Sequence, residues 1–202
     1  MIKNLVFDMG NVLVHDDMPA FARACAESDA DGELLYAELM EGPEWKEWDR
    51  GTMNTDEMVA SVNKRLPERL HANCAAIGAK WHMETQDVDG IEDLIRRAKA
   101  AGYGIYLLSN TADTYWLYRE HLPAIDCFDG EYVSADHHLV KPYLEVYYDF
   151  CRRFRLSAEE CWFTDDTRVN VLGAIAAGWQ GFWFHKDVPA LEAALNAAGV
   201  NF

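Results

Sequence analysis

The feature that most constrains the fold is a regular alternation of short apolar runs with amphipathic helical patterns. Five apolar runs bounded by turn residues predict buried strands, at 5–7, 105–108, 132–133, 162–163 and 182–184. Between the later runs the pattern predicts helices at 91–101, 114–120, 142–154 (opened by its proline), 169–177 and 189–198. This alternation predicts a parallel five-stranded α/β sheet with helices on both faces.

One interval breaks the alternation. About seventy residues separate the first strand from the helix that leads into the second, and they carry only helical periodicity. The helical patterns lie at 21–26, 34–40, 58–66 and 74–81. They predict an inserted α-helical cap over 16–87, so that 1–15 and 88–202 together form the α/β core.

Composition excludes several classes of function. The chain has 34 acidic residues against 18 Lys and Arg, a formal net charge of -16, which disfavours binding to nucleic acid. Five scattered cysteines form no C-x-x-C pair, so we expect free thiols rather than a zinc or redox site. The sequence predicts neither a signal peptide nor a membrane span, and we expect a cytoplasmic location.

Polar residues of particular types follow the apolar runs. In an open parallel sheet, ligands bind in the crevice at the carboxyl ends of the strands, so these residues are the candidates for a site. Asp, Ser and Asn at strand ends also occur as ordinary helix caps, but the joint occurrence of these residues favours a shared function. The candidates are Asp8, Ser109, Asn110, Lys141, Asp165 and Asp166.

Their chemistry predicts a metal-assisted phosphoryl site. Three converging carboxylates, from Asp8, Asp165 and Asp166, would repel one another unless a cation held them, and hard oxygen ligands favour Mg²⁺. A metal beside Lys141 makes a clamp for a phosphoryl group, whose transfer depends on positioning and charge neutralisation. Ser109 and the amide groups after it could hold the remaining phosphate oxygens.

Four segments, in order along the chain, carry a resemblance to a known family. They are Phe7–Leu13, Leu108–Asn110, Lys141–Pro142 with Tyr147 following, and Asp165–Asp166 with Asn170 and Gly173–Ala174 after it. Together they resemble the four motifs of the haloacid-dehalogenase-like hydrolases, and within them the phosphatases with a helical cap after the first motif. The resemblance implies a Rossmann-like core and hydrolysis of a small phosphorylated metabolite.

The resemblance also implies roles for the phosphoryl-binding residues. Asp8 would attack phosphorus and form an aspartyl-phosphate. Ser109, Asn110 and Lys141 would hold the phosphoryl oxygens, and Lys141 would neutralise their charge. The chain would therefore be a hydrolase of phosphoric monoesters.

The same resemblance implies a magnesium site. Asp8 and Asp166 would bind Mg²⁺ together with the backbone carbonyl of Gly10. Asp165 would be a further ligand or a partner of the ligands. Magnesium is the one cofactor that the resemblance implies.

The sequence departs from the family at Gly10. Most of the family's phosphatases have a second aspartate at this position, which protonates the leaving alcohol and then activates water. General acid–base help is typically worth about 10²–10⁴-fold in rate, so its loss predicts a slow enzyme, a substitute residue or a good leaving group. His15, Asp16 and Asp17 are the candidate substitutes.

The predicted cap offers candidates for substrate recognition. The segments Trp45–Gly51 and Met53–Glu57 resemble the cap of bacterial sugar-phosphate phosphatases, including those that act on α-D-glucose 1-phosphate. Trp45 and Trp48 could face a sugar ring, and Arg50 could grip hydroxyls or a second phosphate. A sugar phosphate is therefore the expected substrate, and core packing is expected for Trp162 and Trp183.

Two other functions stay open from the sequence. The family's metal-independent 2-haloacid dehalogenases also lack the second aspartate, although the adjacent acids Asp165 and Asp166 would repel without a cation. A non-catalytic binding or regulatory protein could also keep the fold. The sequence leaves the oligomeric state open.

Overall fold

The computed structural model describes residues 1–80 and 85–202. Its strands are β1 (Asn4–Phe7), β2 (Val14–His15), β3 (Gln86–Asp87), β4 (Gly104–Ser109), β5 (Gly130–Val133), β6 (Cys161–Asp165) and β7 (Gln180–Trp183). Five of them form a parallel sheet in the order β5-β4-β1-β6-β7, with β1 at its centre. In the register, Leu5 lies opposite Ile105 of β4 and Trp162 of β6.

Helices connect the strands and fill the segment between β2 and β3. The α-helices of the described residues are α1 (Met18–Ala24), α2 (Asp29–Leu35), α3 (Pro43–Asp49), α4 (Thr55–Val62), α5 (His71–Lys80), α6 (Ile91–Ala100), α7 (Tyr115–Tyr118), α8 (Leu144–Phe154), α9 (Arg168–Ala176) and α10 (Val188–Ala197). A π-helical turn, Tyr36–Met40, continues α2. None of these helices is long and apolar enough to cross a membrane.

Helices cover both faces of the five-stranded sheet. Successive side chains of a strand point to opposite faces, so Leu5 and Phe7 join one buried cluster and Val6 joins another. The first cluster contains the buried residues of α6 and α10, and the second contains Val146, Tyr147 and Phe150 of α8 and Ala174 of α9. The predicted Rossmann-like α/β core with a parallel five-stranded sheet is therefore confirmed.

Two local predictions need correction. Trp183 was expected in the core but its residue is 43% exposed, because β7 is an edge strand. Helix α8 begins at Leu144 rather than at Pro142, which follows a cis peptide bond with Lys141. The sequence also gave no prediction for helix α3.

The predicted helix at 74–81 corresponds to α5, and its last residue lies outside the described ranges.

The small sheet joins the two ends of the inserted helices. Val14 of β2 pairs with Asp87 of β3 in an antiparallel register, and Val88 donates a backbone hydrogen bond of 2.9 Å to Leu13. The two ends of the segment that carries α1 to α5 therefore meet at one place. Helices α1 to α5 all lie between these two strands.

Candidate active site

Asp8 lies at the carboxyl end of the central strand, in the first residue of a tight loop. Its backbone N–H donates to the carbonyl of Thr164 at 2.9 Å, which extends the pairing of β1 with β6. The carbonyl of Met9 then accepts from the N–H groups of Leu13 and Val14 at 2.8 and 3.2 Å. Asn11, in the middle of the loop, has a φ of 54°, a conformation that Asn tolerates better than most residues.

Lys141 joins two of the predicted carboxylates. Its Nζ lies 2.8 Å from Asp8 Oδ1 and 2.7 Å from Asp165 Oδ2, and it donates to the carbonyl of Leu108 at 3.0 Å. Lys141 is 4% exposed, so these interactions are little screened by water. All the donors of its ammonium group are thereby directed at oxygen atoms of the site.

Asn110 positions the backbone of Lys141. Its Oδ1 accepts from the Lys141 N–H at 2.8 Å, and its Nδ2 donates to the Lys141 carbonyl at 3.0 Å. The amide side chain that the sequence assigned to phosphate binding is thus engaged with the chain. Ser109, at the end of β4, is 2% exposed and lines the same cavity as Asp8.

Asp165 is the most enclosed carboxylate of the site and is fully buried. Besides Lys141, it accepts a 2.7 Å hydrogen bond from the Thr167 N–H and two of 3.1 Å from Asn170 Nδ2. Tyr147 in turn donates to the carbonyl of Asn170 at 2.6 Å. Asp165 is therefore saturated by protein donors and holds Lys141 in place.

Asp166 faces the cavity and completes a cluster of carboxylates. Its Oδ2 accepts from Asn11 Nδ2 at 3.0 Å, and its Oδ1 accepts from Thr167 Oγ1 at 3.1 Å. One carboxylate oxygen each from Asp8, Asp165 and Asp166 lies within 4.8 Å of the others. This is a set of hard oxygen donors from two adjacent strands, suited to a divalent cation.

Burial and crowding of charge change the proton affinity of these groups. Burial, together with the carboxylates of Asp165 and Asp166, raises the pKa of Asp8 to about 8, although Lys141 opposes the shift. Burial alone would lower the pKa of Lys141, but Asp165 and Asp8 raise it above its usual value. Lys141 therefore stays charged, but its charge does not fully offset the burial and the neighbouring carboxylates that raise the pKa of Asp8.

These groups open into a cavity of about 350 Å³. Two further carboxyl groups enter it from outside the strand ends: Asp16, just after β2, and Asp49, the last residue of α3. Burial, then the charge of Asp166, raises the pKa of Asp16 to about 6, and burial raises that of Asp49 above its usual range. The lining residues are Asp8, Met9, Gly10, Asn11, Asp16, Met18, Trp45, Asp49, Ser109, Asn110, Lys141, Asp166, Thr167 and Asn170.

Trp45, Trp48 and Arg50, the three residues predicted to contact the substrate, lie in different surroundings. Trp45 lines the cavity and packs edge-on against Trp48 at 4.9 Å between ring centroids, whereas Trp48 is 1% exposed and lies outside the cavity lining. The guanidinium of Arg50 pairs with Glu47 at 3.1 Å and is also outside the lining. The roles assigned to these residues stay predictions.

Two cavity residues were not singled out as candidates from the sequence. Asn11, within the segment Phe7–Leu13, holds Asp166, and Asp49, within the segment Trp45–Gly51, approaches Asp8 from α3. Their place depends on how a loop and a distant helix pack. Spacing along the chain does not encode such packing.

Comparison with known proteins decides the family. A family model described as haloacid dehalogenase-like hydrolase matches residues 2–178. The chain belongs to this family. The resemblance of its four motifs is thereby confirmed.

Individual relatives of this haloacid dehalogenase-like hydrolase include a phosphatase. The sesquiterpene phosphatase astK of Aspergillus oryzae is 28% identical over 183 residues, which cover 89% of this chain and 88% of the relative. The prediction that the chain is a hydrolase of this family is confirmed by the family model.

Solved structures share the fold. A haloacid dehalogenase-like enzyme of Bacteroides thetaiotaomicron, solved with magnesium and inorganic phosphate, superposes with a TM-score of 0.74 at 20% identity, covering 95% of this chain and 99% of that one. A dehalogenase superposes with a TM-score of 0.63 at 18% identity, covering 89% and 83%. At such identities the likeness establishes the fold and leaves the choice of reaction to the site.

Proposed function

We propose that this hydrolase is a magnesium-dependent phosphomonoesterase that works through an aspartyl-phosphate on Asp8. One observation carries the proposal: the buried ammonium of Lys141 lies between Asp8 and Asp165, at 2.8 and 2.7 Å, beneath a cavity that Asp166 also faces. A nucleophilic carboxylate, a fixed cation and further oxygen ligands are the parts that phosphoryl transfer requires.

The donor set fits a magnesium ion. Asp8 and Asp166 would hold it with the backbone carbonyl of Gly10, which also lines the cavity. Asp165 would act by holding Lys141 beside the ion, since protein donors already occupy its carboxylate oxygens. The bound ion would supply charge neutralisation for the phosphoryl oxygens.

The side chains divide the remaining work. Both hydrogen-bonding contacts of the Asp8 carboxylate, from the Met9 N–H at 2.7 Å and from Lys141, reach Oδ1, so Oδ2 has no protein partner in the described ranges. Lys141 would stabilise the negative charge of a phosphoryl oxygen while phosphorus forms its bond to Asp8. Ser109 and the backbone amide of Asn110 would orient the other oxygens.

The rival functions are less consistent with the site. A metal-independent dehalogenase would leave Asp166 with no cation, since its described partners are the neutral side chains of Asn11 and Thr167. A binding protein without turnover would not require a buried lysine held on three oxygens beside a carboxylate. Hydrolysis is therefore the favoured function.

The proposed substrate is a small phosphorylated metabolite, with sugar phosphates first. A cavity of about 350 Å³ with many polar lining groups suits a ligand of that size. A prenyl monophosphate is the second candidate, because the relative astK is named a sesquiterpene phosphatase. A second cavity of about 450 Å³, with Met18 and Phe21 in its wall, adjoins the first through Asp16 and could take a longer leaving group.

We also propose that residues 16–87 act as the cap, with 1–15 and 88–202 as the core. Support comes from the β2–β3 pair, where both connections to the inserted helices meet. Asp49 and Trp45 of the inserted helices line the cavity that Asp8 also lines. Closure of this segment would exclude water from the site.

The decisive test of the proposed function is turnover of p-nitrophenyl phosphate and of a panel of sugar and prenyl monophosphates. We expect hydrolysis with Mg²⁺, none in EDTA, and loss of turnover in Asp8→Asn. Asp89→Asn is the matched control, since Asp89 is exposed and outside the cavity, and it should keep wild-type turnover. Metal-independent turnover, or full activity of Asp8→Asn, would contradict the proposal.

A further inference from the structure

Transfer of a phosphoryl group to Asp8 leaves two proton-transfer problems. The departing alkoxide needs a proton, and the water that later cleaves the aspartyl-phosphate must lose one. Lys141 and Asp165 are bound to each other, and Asp166 accepts hydrogen bonds from Asn11 and Thr167. The proton carrier must therefore be another group in the cavity.

The carboxylate of Asp16 occupies the space beside the nucleophile's loop. An ideal Cβ placed on Gly10 would lie 3.2 Å from Asp16 Oδ2, so this oxygen takes the volume into which a side chain at position 10 would extend. Gly10 is two residues from Asp8, and both line the cavity with Asp16. Because Gly10 has no side chain, the carboxylate of Asp16 can occupy this space.

The position of Asp16 is fixed while its carboxylate is uncommitted. Its backbone N–H donates to Asn11 Oδ1 at 3.1 Å, and Asn11 Nδ2 donates to Asp166 at 3.0 Å, so one side chain ties Asp16 to the carboxylate cluster. In the part of the chain that the structure describes, no hydrogen bond or ion pair engages the Asp16 carboxylate. It is therefore available to a substrate oxygen or to water.

Its neighbours in sequence do not meet these conditions. Asp17 is exposed and caps α1 by accepting from the Ala20 N–H at 2.9 Å. His15 belongs to β2 and, like Asp17, lines the adjoining cavity without lining that of Asp8. Asp49 lines the cavity of Asp8, but it enters that cavity from α3 and not beside Gly10.

We propose that Asp16 is the general acid and base of the reaction, resting on the proposed aspartyl-phosphate function. As Asp8 Oδ2 bonds to phosphorus and the ester P–O bond breaks, the protonated Asp16 gives its proton to the departing oxygen, which leaves as the alcohol. The resulting Asp16 carboxylate takes a proton from water as the water oxygen attacks phosphorus. The Asp8–phosphorus bond then breaks, and inorganic phosphate leaves with Asp8 and protonated Asp16 restored.

Asp16→Asn separates the two steps when it is studied with two aryl phosphates. Steady-state turnover should fall by about 10²–10⁴-fold for both p-nitrophenyl and phenyl phosphate, because water loses its base. With p-nitrophenyl phosphate the variant should still release a burst of about one p-nitrophenolate per enzyme and accumulate phosphorylated Asp8, since this phenolate leaves without a proton. With phenyl phosphate, whose leaving group is more basic, the burst should be much slower than in the wild type.

Controls keep the outcomes distinct. Asp89→Asn, at an exposed position outside both cavities, should keep wild-type kinetics, and thermal unfolding should show that Asp16→Asn is folded. Any of three outcomes would overturn the assignment. Asp16→Asn could keep its turnover, or it could be folded and show neither burst nor turnover. Alternatively, the burst pattern could appear in Asp49→Asn and not in Asp16→Asn. Failure of the proposed function is recognised separately, as absence of Mg²⁺-dependent turnover in the wild-type enzyme.

Discussion

At the residue scale, the central relationship is the sharing of one buried ammonium by two carboxylates. Lys141 bonds to Asp8, which faces the cavity, and to Asp165, which lies beneath it. Asn170 and Thr167 hold Asp165, and Asn110 holds the backbone of Lys141, so the ammonium is fixed from both sides. Such preorganisation places charge where a phosphoryl group would need it.

Because two carboxylates share this ammonium, we expect Lys141→Met, which is uncharged and similar in shape, to be much less stable than the wild type. Removing the cation leaves Asp8 and Asp165 buried and unpaired, and we expect the free energy of unfolding to fall by about 3–5 kcal/mol. Urea denaturation in EDTA, where no metal compensates, measures the loss. Lys3→Met breaks an exposed pair with Glu160 and should cost only about 0–1 kcal/mol. Equal losses of unfolding free energy in Lys141→Met and Lys3→Met would show that the buried ion pairs contribute no more to stability than the exposed one.

At the scale of elements, the end of α3 docks on the loop that follows β5. Ser134 Oγ donates to the carbonyl of Asp49 at 2.5 Å, and His138 Nδ1 lies 3.0 Å from the carbonyl of Arg50. Gly51 makes the closest approach, since an ideal Cβ there would lie 2.2 Å from the carbonyl oxygen of Ala135. These contacts hold Asp49 over the cavity.

Gly51→Ala should separate these elements. Both its φ of +73° and the contact with Ala135 oppose a side chain, so the loss of stability should exceed the cost of the backbone conformation alone. Gly102→Ala is the matched control, because Gly102 has a φ of +94° with nothing within 4 Å, and it should cost about 1–2 kcal/mol. We expect Gly51→Ala also to impair turnover, while Gly102→Ala keeps it. If the two variants behave alike in denaturation and activity, the docking contact is unimportant.

A second element contact predicts a pH-dependent contribution to stability. Arg65, beyond the end of α4, donates to both carboxylate oxygens of Glu44 on α3, at 2.7 and 2.9 Å, and Ser61 adds a third bond at 2.9 Å. The hydrogen bonds from Arg65 lower the pKa of Glu44 from its ordinary 4.5 to about 2. The folded protein therefore binds fewer protons here than the unfolded chain, and the stabilisation is present above pH 4.5 and lost as the pH falls toward 2.

Glu44→Gln tests this contribution. Because Arg65 is partly exposed, we expect a loss of about 1–2 kcal/mol at pH 7, shrinking toward zero as both proteins are unfolded at successively lower pH. Glu33→Gln, at an exposed position on α2, should show no such difference at any pH. A Glu44→Gln deficit that is constant from pH 7 to pH 3 would rule out the linkage.

At the scale of the whole molecule, the sheet was predictable and the packing of the inserted helices was not. Apolar runs such as Leu5–Phe7 mark parallel strands because both faces of the sheet are buried, and the carboxyl ends of neighbouring strands must then meet. Periodicity therefore places Asp8, Ser109 and Asp166 at the same edge of the sheet. The edge position of Trp183 and the approach of Asp49 depend on the order of strands and on tertiary contacts, which periodicity does not determine.

The most direct test of the central claim is covalent trapping of the enzyme during turnover. Wild-type protein mixed with Mg²⁺ and p-nitrophenyl phosphate, then quenched in acid, should carry one phosphoryl group, which peptide mass spectrometry assigns to Asp8. Asp8→Asn should carry none. Turnover with no phosphorylated peptide in a rapid-quench time course, or a phosphoryl group on another residue, would contradict nucleophilic catalysis by Asp8.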